Sequence, residues 1–135
     1  MLLGKTHLVL GILMVIAFLL TGQFMHHNYN HLKDMELMNR ALFRAGHIYI
    51  LLFGLINAAL GTHFKMYKNK IYKILQLIGS IAIFTASLLV FYGFFTELPT
   101  TTIERPLTRF SIYIILFGVS THGLISLVPN KFLNK

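Results

Sequence analysis

Long apolar stretches alternate with short polar ones along this chain, and each apolar stretch is close to the roughly 20 residues that a helical bilayer crossing needs. The pattern predicts helices over about 6–24, 44–63, 74–96 and 109–128. Residues 25–43 form the longest polar link. Within it Met35, Met38 and Leu42 recur at three and four, and Glu36 stands four before Arg40, the spacing of an amphipathic helix with a supporting ion pair. Segment 64–73 is a compact turn carrying Lys65, Lys68, Lys70 and Lys73. Segment 97–109 contains Pro99 and Pro106 and is too proline-broken for one continuous helix, while Pro129 ends the last apolar run. The fold class expected is all-α: a polytopic membrane protein, one domain over 1–135, built as an antiparallel bundle of four transmembrane helices. Lys5 before an apolar core also suits a cleaved leader. That core is longer than a usual leader core, and no small-x-small site follows at 21–25, so a retained helix is expected.

The apolar periodicity also assigns faces. At about 100° per residue, His47, Ile50, Gly54, Asn57, Ala58 and Gly61 share one side of the second helix, with Ile48, Leu52, Leu55, Ile56 and Leu60 opposite. A transmembrane helix buries its small and polar residues against its neighbours and turns its large apolar ones to lipid. The first helix aligns His7, Gly11, Met14, Phe18 and Met25. The third aligns Gln76, Ser80, Ser87 and Phe91. The fourth aligns Thr108, Ser111, Ile115, Gly118, His122 and Ser126.

Composition supports the membrane reading. The chain is 56% hydrophobic and only 12% charged, against about a quarter charged in soluble domains. A formal charge of +8 would suit nucleic acid, but the basic residues lie in links and tails, where they act as topology determinants, so no nucleic-acid role is expected. Lys5, the lysines of 64–73, Lys131 and Lys135 fall on one side, and all four acids fall on the other. Both termini are therefore expected on the cytoplasmic or equivalent side. With no cysteine, disulfides, thiolate metal sites and cysteine-held clusters are excluded.

The candidate chemistry lies in the histidines. His7, His63 and His122 form an inner group, with His122 about 9 Å in from the inner boundary at about 1.5 Å per residue. His47 forms an outer group with the histidines of the first link. This layout resembles that of four-helix membrane cytochromes of the b type, in architecture alone. The resemblance implies haem b held by imidazoles from different helices, His7 or His63 opposite His122 inside, and His47 outside with Arg44 near a propionate. His27 and His31, four apart if helical, are candidate ligands for Cu²⁺ or Zn²⁺. Competing roles are plain: His7 and His63 also suit a headgroup zone, Asn57 suits an interhelical hydrogen bond, and Arg44 suits a snorkelling side chain. No hydrolase, zinc-protease or phosphate-loop motif is present, and no acid lies within a span, which argues against an ion-driven transporter. Two functions follow as expectations. One is a small membrane redox protein, an electron carrier with haem b acting with quinone. The other is a non-catalytic accessory or structural subunit, docked in a larger membrane complex or a homo-oligomer.

Overall fold

Side-chain capping fixes where two of the four helices begin. The computed structural model describes residues 2–97 and 104–128. It contains α1 (Leu2–Tyr29), α2 (Leu37–His63), α3 (Lys70–Thr96) and α4 (Pro106–Ser126). All four are long and apolar enough to cross a membrane. Asn69 caps α3 by accepting from the Ile71 N–H at 2.8 Å. Pro106 opens α4, where its missing N–H costs nothing. The next N–H groups, of Leu107 and Thr108, donate to the Glu97 carboxylate at 2.5 and 3.1 Å, and the Thr108 hydroxyl donates to it at 2.6 Å.

The amphipathic part of the 25–43 link opens α2, which begins ahead of its apolar run. Residues 25–29 extend α1, 37–43 belong to α2, and the connection shrinks to 30–36. Polar residues end a bilayer crossing without ending a helix, so an apolar run underestimates helix length. The turn itself is tight: Asn30, His31 and Leu32 have φ of 44, 56 and 63°, a left-handed run costly for residues other than glycine. Burial of the Leu32 side chain and two hydrogen bonds from Arg40 Nη2, to the carbonyls of Lys33 and Met35, help to hold it. Arg40 therefore staples the link instead of pairing with Glu36.

Consecutive helices run antiparallel. Leu8 meets Gly61 at one end of α1 and α2, and Thr21 meets His47 at the other. The α1–α2 and α3–α4 seams are tight, α2 packs on α3 over a shorter length, and α2 scarcely touches α4. Glycine makes the seams possible: a Cβ on Gly61 would lie 2.5 Å from the Leu8 nitrogen, and one on Gly118 would lie 2.7 Å from the Gly79 carbonyl oxygen. Such close approach gains dispersion and Cα–H···O contacts, the main attractive terms between helices in lipid. The faces agree with the periodicity. His7, Gly11, Met14, Ile50, Gly54, Asn57, Ser80, Ser87, Ser111 and Gly118 are buried, while Ile48, Leu52 and Leu55 are exposed. Ile56 and Leu60, expected opposite, are partly buried against the core.

Candidate functional site

The polar residues at the end of the bundle where α1 begins and α2 ends meet in one hydrogen-bonded chain that joins all four helices. His7, on α1, is fully buried. Its Nδ1 lies 2.8 Å from Asn57 Oδ1 on α2, and its Nε2 lies 2.9 Å from Ser80 Oγ on α3. Ser80 Oγ also lies 3.1 Å from His122 Nε2 on α4. Asn57 Nδ2 donates to the Phe53 carbonyl and to Ser87 Oγ, both at 2.9 Å. Phe84 covers the His7 ring, with centroids 4.3 Å apart, and the His7 and His122 rings stand edge to face at 6.1 Å.

This chain ends on a cleft. Because α2 and α4 diverge, Ile56, Ala59, Leu60 and His63 face Val119, His122, Gly123 and Ser126 across a cavity of about 410 Å³. A second cavity of about 340 Å³ continues past His122 to Lys65, Tyr67 and Gln76. Both volumes fall in the range of small-molecule sites, about 300–1,000 Å³. The inner end is floored by Tyr67, whose hydroxyl donates to the Ile125 carbonyl at 2.9 Å and to that of Val128 at 3.2 Å. Gln76 holds that turn, donating to the Lys65 carbonyl at 2.8 Å and accepting from the Tyr67 N–H at 3.1 Å.

A larger cavity of about 450 Å³ opens at the other end of the same α2–α4 gap, between Tyr49, Arg105, Arg109 and Ile112. Its buried polar lining residue, Thr108, spends its hydroxyl on the Glu97 carboxylate that caps α4. Arg105 Nη1 is committed to the Leu42 carbonyl at 2.8 Å. Burial lowers the pKa of this guanidinium, and the Glu97 carboxylate raises it. The inner cleft is the better candidate because its polar groups continue into the protein.

The structure separates the other expected residues. His47 stacks on Phe18 at 4.1 Å. Its Nδ1 lies 3.0 Å from Thr21 Oγ1, whose own hydrogen goes to the carbonyls of Ala17 and Phe18. It clamps α1 to α2 and does not meet the link histidines. Arg44 is exposed, and the arginine bridging the outer ends of α2 and α4 is Arg105, which periodicity did not single out. His63 is exposed beside the cleft, its Nδ1 near Thr62 Oγ1 and the Ala59 carbonyl. His31 meets His26 instead of His27, Nδ1 to Nδ1 at 3.2 Å, because the chain leaves the helix before reaching it. Among the described residues, no three His, Asp or Glu side chains converge as a metal site.

A haem held between His7 and His122 does not fit this packing. Both ring nitrogens of His7 are hydrogen-bonded within the protein. Gly11, Gly61 and Gly118, expected to make room for a macrocycle, are filled by Ala58, Leu8 and Ile83. No protein-family model, curated protein or solved structure matches this chain.

Proposed function

We propose that this is a multi-pass membrane protein that binds the head of a membrane-dissolved quinone in the inner α2–α4 cleft. In this reading all four helices cross the bilayer, with both termini on the cytoplasmic or equivalent side. The observation that carries it is the junction of a buried polar chain with a laterally open cleft: His122 belongs to both. Lipid-facing helices explain the outward Ile48, Leu52 and Leu55, and a cleft open to lipid admits ligands that partition there. Its walls are apolar at Ile56, Ala59, Leu60 and Val119, and polar at His63, His122 and Ser126, which suits a ligand with a greasy tail and an oxygen-bearing head. His122 bonds the head, the Tyr67 and Gln76 floor closes the end, and Ser80 and His7 hold His122 in place.

The test is an anaerobic titration of the purified protein in nanodiscs with decylubiquinol, followed by tyrosine fluorescence. Saturable binding is expected. His122→Ala should weaken it about tenfold, the equivalent of one lost hydrogen bond. Gly123→Leu should block the cleft without disturbing the fold, since a Cβ there meets nothing within 4 Å. Binding indifferent to both variants would overturn the assignment. A visible spectrum of the same sample serves as a second arm. A Soret band lost in His122→Ala would favour the haem reading, and a colourless protein that binds no quinol would leave the accessory-subunit role.

A further inference from the structure

The direction of every hydrogen bond in the buried chain follows from its far end. The Phe53 carbonyl can only accept, so the atom of Asn57 facing it must be the amide nitrogen, at 2.9 Å. Ser87 agrees, because its hydroxyl hydrogen goes to the Ile83 carbonyl at 2.8 Å and its oxygen is left to accept from Asn57. Asn57 therefore turns its oxygen to His7, whose Nδ1 must carry the hydrogen. His7 is fully buried with Asn57 and Ser80 as its hydrogen-bond partners, and a charge there would lack a bonded carboxylate, so the imidazole is neutral and its Nε2 accepts. Ser80 donates to it. Having spent its one hydrogen, Ser80 accepts from His122, which places the His122 hydrogen on Nε2.

That leaves the His122 Nδ1 with a bare lone pair. It has no hydrogen-bond partner among the described residues and is not among the buried unpartnered atoms, and His122 itself lines the cleft. We infer that the cleft presents a hydrogen-bond acceptor at His122 Nδ1 and so takes the hydroxyl-bearing, reduced quinol in preference to the carbonyl-bearing, oxidised quinone. This rests on the quinone reading above and sharpens it. A quinol hydroxyl donates to Nδ1. A quinone carbonyl would set one acceptor against another and leave both without a hydrogen. His63 does not supply the missing donor from the cleft wall as it stands, since its Nδ1 faces Thr62 and the Ala59 carbonyl.

Two measurements test the inference separately. Nitrogen NMR of the ¹⁵N-histidine-labelled protein in nanodiscs, without ligand, reads the tautomers directly. The expected result is a hydrogen on His7 Nδ1 and none on His122 Nδ1; a hydrogen on His122 Nδ1 would overturn the wiring, whatever binds. Anaerobic titration with decylubiquinol and with decylubiquinone then compares the two forms. The expected preference for the quinol is on the order of tenfold. Ser80→Ala, which removes only the hydroxyl that fixes His122, should bring that ratio near one while binding persists. Equal affinities in the unmodified protein would overturn the selectivity. Failure of both forms to bind would overturn the cleft assignment and the selectivity with it, and the ligand-free NMR distinguishes that result from a fault in the wiring.

Discussion

Asn57 is the residue on which the buried polar chain turns. Its amide has two donors and one acceptor oxygen, and the structure uses both ends, on Phe53, Ser87 and His7. Neither leucine nor a hydroxyl residue can do this, because the position must give hydrogens to one side and receive one from the other. Asn57→Ala leaves the His7 Nδ1–H buried without a partner and should lower unfolding stability in detergent by about 1–3 kcal/mol. A denaturant series on micellar protein measures it; an unchanged midpoint would mean that His7 finds another acceptor. Periodicity placed Asn57 on the packing face of α2 and suggested an interhelical bond. It could not say which residue the bond reaches, since that depends on the depth of α1 against α2.

At the scale of elements, the glycine seams and the α4 cap carry the argument. Gly118→Leu would drive a side chain into Ile83 and the Gly79 carbonyl and should cost about 1–3 kcal/mol or more by overpacking. Gly123→Leu, one turn along the same helix but on the open side, should leave stability nearly unchanged. Thermal unfolding of the two variants side by side checks the pair, and equal losses would mean that the α3–α4 seam is misplaced. Glu97 acts as a cap from outside its helix, holding two N–H groups and one hydroxyl of α4. Glu97→Ala should cost about 0.5–2 kcal/mol, as the loss of an N-cap does, read in the same melts. A glutamate nine residues before the helix it caps has no local sequence signature, so this contact was not legible beforehand.

For the whole molecule, polar residues share the core with apolar ones. His7, Asn57, Ser80 and Ser87 are buried beside Ile50, Phe53 and Ile83, while many other leucines and isoleucines face outward, as expected where lipid is the solvent. The lysine-rich turn after α2 sets the orientation we propose. The chain has no cysteine, so single cysteines report cleanly. In intact cells, one placed at Asn69 should resist an impermeant thiol reagent, and one placed at Glu104 should react. The opposite pattern would invert the topology and move the proposed quinone cleft to the other leaflet.

The sequence by itself determined the four apolar helices and most of the face each one buries. These are properties of one helix at a time: every backbone group in a span must be bonded within its own helix, and side chains sort by polarity around a fixed period. Only the tertiary structure decided which histidines meet. His7 reads as a headgroup residue near a helix end, yet it is wholly buried because α1 begins at Leu2 and the Gly61 contact draws α2 against it. His122 stands too far along α4 to be matched with His7 by depth alone, and Ser80 closes that gap from α3. Partnership of this kind depends on the relative depth, rotation and divergence of several helices together. Those are fixed by glycine contacts far apart in the chain, and no period along a single helix records them.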